Sequence, residues 1–425
     1  MSRFWRGVLG ICSLTIAACD GVAPAIDAAL ADAGRGGSAV DAGADAPTPS
    51  DGGTDAARDD AGLDGGAGDD AGASDDDAGT SDAGASDAGA NDAAITGDAG
   101  VLTFDVSAAV ELSGAVSPDF GTTIAVSPDG ALLAVGDPGA GGGGTGAVFV
   151  FVHDPAGWTL AQTLPGGPER TDFGAGVAFM PGTLALAIGD TSRSSTRDGT
   201  VDLYALEGAR YAAAPYQTIA ARSGTTYGAT VAFSPDGGTL VVGDPLGGSG
   251  GILYFYDAAT STTFADSPRA TLSAPGGRGR RFGVSAAFDP AGTTLFVGDD
   301  IDTATGGHVY AYPVAAGVVA STPSATIVAP SGTSEQFGSA IAVSPDGRAL
   351  AIGTPHIAHD RPFGSVALYG LPLGATDPYD VLVPTRGESF GRGIAFAVDG
   401  SALFVGDANV NATSRYGTVY RLPAR

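Results

Sequence analysis

Six in-phase copies of one unit, four short apolar runs in each copy and no helical periodicity predict an all-β fold, a six-bladed β-propeller of four-stranded blades. The unit is marked by Phe-Gly, once Tyr-Gly, at Phe120, Phe173, Tyr227, Phe282, Phe337 and Phe390. The separations are 53, 54, 55, 55 and 53 residues, a period in the range of repeat arrays.

Each unit has the same parts in the same order. An apolar run follows the aromatic-Gly pair, as at 123–126, 231–233 and 341–343. A Ser-Pro-Asp-Gly turn comes next at 127–130, 234–237 and 344–347. Proline presets φ, Asp bonds locally and Gly tolerates positive φ, so this sequence joins a hairpin. A second apolar run ends in Gly-Asp at Asp137, Asp190, Asp244, Asp299 and Asp407. After a variable segment the third run begins on Gly, as at 146–151, 307–310 and 364–369. The fourth run is more polar, as at 158–160 and 325–328, and reads as the outer edge. The first two runs are almost continuously apolar, as expected of strands buried on both faces.

The last unit stops at Arg425 after its third run. The missing outer strand is supplied from the front of the domain. Val110 lies ten residues before Phe120, as Leu272 does before Phe282 and Ile327 before Phe337. Residues 108–112 are therefore expected to pair with residues 418–422 and close the ring.

Three segments precede or make up this architecture. Residues 1–18 read as a signal peptide, with Arg3 and Arg6 ahead of an apolar stretch too short to span a bilayer. Residues 19–100 read as a disordered Asp/Ala/Gly-rich tether, because high charge with few large apolar groups cannot offset chain entropy. Its flexible reach is roughly 50 Å. Residues 101–425 form the propeller. The tether carries roughly −17 of the net charge of −27, and the remainder is still acidic. An acidic chain lacks the basic footprint that nucleic acid requires. Every basic residue other than His is arginine, which excludes Schiff-base lysines and the phosphate-loop lysine.

Two resemblances follow from these residues. Ile16-Ala17-Ala18-Cys19 resembles the lipobox of bacterial lipoproteins, which implies acylation of Cys19 and anchoring in the cell envelope. The outer membrane or cell surface is the favoured address, while Asp20 is the residue that holds lipoproteins of enteric bacteria at the inner membrane. Cys12 falls in the segment to be removed, so no disulfide is expected. The Phe-Gly markers, the Val-Gly-Asp-Pro segment and the Gly-x-Val-Tyr-x-Phe-like third run resemble FG-GAP repeats, related to the propeller of integrin α subunits. The Ser-Pro-Asp-Gly turn is also similar to that of WD40-like bacterial propellers. The FG-GAP resemblance implies binding or adhesion and no reaction. The family's calcium loop, Asp-x-Asp/Asn-x-Asp-Gly, is absent here, so its calcium binding does not carry over.

No catalytic constellation is evident, and no metal or other cofactor is expected. Gly-x-Gly-x-x-Gly at 139–144 and Gly-x-Ser-x-Gly at 247–251 each lead into a strand-like run, whereas their chemistries need a helix. The candidate binding residues are Asp137, Arg193, Arg197, Asp244, Asp299, His356, His359, Asp360 and Arg415, all at or beyond the ends of second runs. The repeated Asp has two readings, a ligand ring and a strand-ending turn that bonds nearby amides. His356, His359 and Asp360 are of metal-ligating type, but a loop fixes no geometry for them. The expected function is an anchored, non-enzymatic module that binds protein or glycan. The alternatives are an enzyme with a site at the channel and a scaffold subunit of an envelope complex.

Overall fold

The computed structural model describes residues 101–112, 117–141, 143–191, 198–221, 226–277, 281–301, 306–330, 336–355, 364–374, 377–385, 389–408 and 416–425. All of them belong to the unit Ala93–Arg425. The proposed signal peptide, Cys19 and the tether lie outside the described residues.

The described residues form a six-bladed β-propeller. Each blade is built on four antiparallel strands, and in blade 4 the short strand Val318–Val319 also pairs with the third strand. The innermost strands are Thr123–Val126, Phe173–Phe179, Thr230–Phe233, Phe282–Phe288, Ala340–Val343 and Phe390–Phe396. Each packs against the innermost strands of both neighbours, so the ring closes without a gap. Blade 1 continues outward through Leu132–Asp137, Ala147–Asp154 and Gly157–Pro165, and the other blades follow the same order.

The last blade is completed from the front of the domain. Val110–Leu112 pairs antiparallel with Thr418–Pro423, in the register Val110↔Arg421, Glu111↔Tyr420 and Leu112↔Val419. Phe104 continues the seam with an isolated bridge to Ala424, and its ring is buried 5.9 Å from that of Phe396. Pairing first with last leaves no open edge inside the ring.

The core consists of six layers, each lying between two neighbouring blades. Successive strand residues point to opposite faces, and both faces of a blade are covered. In blade 1, Leu133 and Val135 enter the layer shared with blade 6, while Ala134 between them enters the layer shared with blade 2. This two-sided burial is why the second runs are continuously apolar.

The Phe-Gly marker has a packing cause. All six aromatics are buried and wedge against the preceding blade. The glycine after each lies at positive φ, and its carbonyl crosses the preceding blade's second strand at the Gly of Gly-Asp. A Cβ on Gly189 would overlap the carbonyl oxygen of Gly228, and one on Gly406 that of Gly121. The carbonyl of the aromatic residue itself covers the Gly that starts the third strand, as Phe282 covers Gly251. Three glycines per blade are therefore one contact between blades.

The Ser-Pro-Asp-Gly hairpin turns close as expected. Gly130 N–H donates to the Ser127 carbonyl at 2.8 Å, and Ser127 Oγ donates to Asp129 at 2.5 Å. Glutamines of two outer strands clamp the next blade: Gln162 bonds both backbone groups of Tyr211, and Gln217 both of Phe264.

Candidate functional site

Chain direction sorts the connections onto two faces. Each innermost strand starts at its aromatic-Gly pair and ends at the hairpin turn, and the second strand returns to finish at Gly-Asp. The aromatic lead-ins and the second-to-third connections therefore share one face, and the hairpin turns occupy the other.

The Gly-Asp carboxylates lie beneath the first face and, in the blades that carry one, tie the lead-in to the second strand; blade 5 has Thr354 at that place. Ser117 Oγ donates to Asp137 Oδ1. Thr226 Oγ1 donates to Asp244 Oδ1 at 2.6 Å, Arg281 N–H to Asp299 at 3.0 Å and Ser389 N–H to Asp407 at 2.7 Å. Asp137 and Asp244 are fully buried and Asp299 is 3% exposed. Burial, with the Asp119 charge nearby, pushes the Asp137 carboxyl up to about 6 against the pull of the Ser117 hydroxyl. Asp137 Oδ2 has no hydrogen-bond partner. Each of the four donors, Ser117, Thr226, Arg281 and Ser389, is a lead-in hydroxyl or amide 18 to 20 residues earlier in the chain than its aspartate.

Arg193, Arg197, His356, His359, Asp360 and Arg415 lie outside the described residues. Among the described residues no group of three His, Cys, Asp or Glu side chains is placed to hold a metal. His153 stacks on Trp158 with centroids 4.6 Å apart, and His308 on Tyr310 at 5.7 Å. The 139–144 and 247–251 segments lead into strands, Ala147–Asp154 and Ile252–Asp257.

The axial channel brings together residues that the repeat reading passed over. Its upper part, on the lead-in face, is a cavity of about 130 Å³ reached by Thr122, Ser285, Ser339 and Arg392. Arg392 is the one charged residue of that lining. Arg392 Nη1 donates to Gln336 Oε1 at 3.2 Å. Ser339 Oγ donates to the buried Asp300 Oδ2 at 2.7 Å, which also takes Arg281 Nη1 at 3.2 Å. The lower part is a cavity of about 300 Å³ whose lining residues are apolar without exception. Aligning the six units would have exposed this asymmetry: the second residue after each marker aromatic is Thr122, Ala175, Ala229, Val284, Ser339 and Arg392.

Blade 2 holds a second polar group. The third strands carry Phe149, Asp202, Tyr254, Tyr310, Ala367 and Tyr420 at one equivalent place. Asp202 is fully buried and pairs with Arg170 Nη2 at 2.5 Å, while Nη1 reaches Asp190 at 3.0 Å and Thr200 at 2.5 Å. Thr218 Oγ1 donates to Asp202 at 2.6 Å. Burial raises the Asp202 carboxyl, opposed by Thr218 and Arg170. The pair fills space that aromatic rings fill in three other blades and in blade 1.

Compared with known proteins, the chain matches no family model, and no curated protein matches it.

Proposed function

We propose that the chain is a lipid-anchored envelope protein whose propeller binds a protein or glycan partner through the lead-in face, without catalysing a reaction. One observation carries this reading. The second-to-third connections differ between blades in length and chemistry, while the hairpin turns on the opposite face are near-copies. Strands share one packing problem across the ring and are held to one solution, whereas surface connections are free to specialise. Acylation of Cys19 would hold the protein at the envelope, and a flexible acidic tether would leave the propeller free to reach a partner. The FG-GAP resemblance supports the same reading, since it implies binding or adhesion.

Two measurements test it. Cys19→Ala should move the protein from the detergent phase to the aqueous phase or leave it unprocessed; a mature, detergent-partitioning variant refutes the anchor. The full chain, presented to a glycan panel and to envelope extracts, should capture a partner. Arg193→Ala, Arg197→Ala, His356→Ala and His359→Ala together should weaken that capture without lowering Tm by more than a degree or two. Substitution of the Ser-Pro-Asp-Gly turns should cost Tm and spare capture. Loss of the partner by folded turn variants alone places binding on the other face.

A further inference from the structure

The hairpin turns of blades 3 and 4 touch: a Cβ on Gly292 would lie 3.6 Å from Pro235 Cδ. Beside this contact the third strand of blade 4, His308–Ala315, folds back through Ala316 and Gly317 onto Val318–Val319. Both turn residues are at positive φ, as a two-residue hairpin requires. Arg269 of blade 3 holds the tip, donating from Nη2 to the Gly317 carbonyl at 2.5 Å while its Nη1 pairs with Asp257 at 2.7 Å. The two turns and this hairpin border a cavity of about 360 Å³.

The cavity has walls of two kinds. Phe288, Pro235, Pro290 and Val314 are apolar, and Asp236 is the charged residue of the lining. Asp236 Oδ1 is committed to its own turn, accepting from Ser234 Oγ at 2.5 Å and from Gly238 N–H at 2.9 Å, and Oδ2 takes no part in these bonds. The Ser234 hydroxyl, with the Gly238 amide, holds the Asp236 carboxyl below its ordinary value, so it is charged at neutral pH. These walls select an occupant. A long aliphatic stem packs on proline and valine, and an ammonium is attracted to both an aromatic face and a carboxylate. A guanidinium forks onto two oxygens, whereas one oxygen of Asp236 is open, so lysine fits better than arginine. The charge around the cavity agrees: the hairpin turns carry Asp129, Asp236, Asp289, Asp346 and Asp399 against Arg348 alone. The chain contains no lysine, so neither its own tether nor a second copy supplies one.

We propose that the cavity between the turns of blades 3 and 4 receives a lysine side chain of another protein, its ammonium at Asp236 and its stem against Phe288, Pro235, Pro290 and Val314. This site lies on the hairpin face, away from the connections proposed to hold a partner on the lead-in face, so either can fail without the other. The test is ligand-observed NMR titration of the full chain with the pentapeptide Gly-Ala-Lys-Ala-Gly and with counterparts carrying norleucine or arginine in place of lysine. The lysine peptide should bind, the arginine peptide more weakly and the norleucine peptide weakest. Asp236→Asn should weaken the lysine peptide about fivefold and leave the norleucine peptide unchanged. Asp346→Asn removes a carboxylate with the same turn bonds but outside the cavity, and should change binding by about twofold at most. Ala291→Leu fills the cavity, leaves the bonds of Asp236 in place and should abolish binding; it serves where Asp236→Asn fails to fold. Absence of lysine-peptide binding overturns the proposal, as does norleucine binding equal to lysine. So does an equal loss in Asp236→Asn and Asp346→Asn, which means general attraction to an acidic face, or undiminished binding in folded Ala291→Leu.

Discussion

Asp137→Asn should make the domain more stable at neutral pH and change how its stability depends on pH. Asp137 is fully buried, its Oδ2 has no hydrogen-bond partner, and its carboxyl titrates near 6 instead of 3.8. A carboxyl whose folded value is raised holds its proton more tightly in the native state. Its contribution is therefore complete below pH 3.8 and is lost as pH rises toward about 6. A rise of about two pH units corresponds to about 3 kcal/mol, as an upper figure. Asn keeps the shape and an acceptor for Ser117 but carries no charge. The gap between variant and wild type should therefore widen by up to about 3 kcal/mol between pH 4 and pH 6.5, then stay level. Urea unfolding of both proteins at half-unit pH steps measures this directly. A gap that stays constant over that range refutes the assignment of a buried, proton-binding carboxyl at this position. Asp119→Asn, which removes the neighbouring negative charge, should shift the same transition to lower pH.

Two further predictions concern packing. Gly189→Ala places a methyl group on the Gly228 carbonyl and should cost about 3 kcal/mol or more in urea unfolding, whereas Gly182→Ala, on an open turn at positive φ, should cost about 1 kcal/mol. Asp202→Asn should destabilise by about 3 kcal/mol because it leaves Arg170 partly unpaired in a buried place, while Asp202→Phe combined with Arg170→Leu and with Asp190→Asn, needed because Arg170 also serves the buried Asp190, should recover most of that loss; a triple variant as unstable as the single one contradicts the reading of the pair as a space-filling substitute.

The fold was legible because its signals are local and repeated six times. The hairpin turn follows from the conformational limits of Pro, Asp and Gly, and the two-sided burial of the second strands from unbroken apolar runs such as 132–135. Closure of the ring was legible from spacing, since Val110 sits where an outer strand of the preceding unit would end. The reason for the three glycines per blade was not, because it lies in a contact between blades, such as Gly189 with Gly228 or, across the ring closure, Gly406 with Gly121. The candidate site was less legible for a related cause. A repeat reading seeks what the units share, and Arg392 and Asp202 are the residues that their own units do not share. The repeated Asp was visible, but its partner is a hydroxyl or amide near the marker aromatic that changes from blade to blade: Ser117, Thr226, Arg281, Ser389.

The central claim is a closed ring in which the first strand completes the last blade. It is tested most directly by comparing Tm for chains that start at Val101 and at Asp119. The shorter chain loses the buried Phe104 and Leu112 and uncovers the edge of the strand Thr418–Pro423. Each lost side chain is of a size that costs about 3 kcal/mol when removed from a core. A Tm lower by ten degrees or more, on the order of what such a loss implies for a large domain, or outright aggregation, is the predicted result. Equal melting temperatures would contradict closure by this strand.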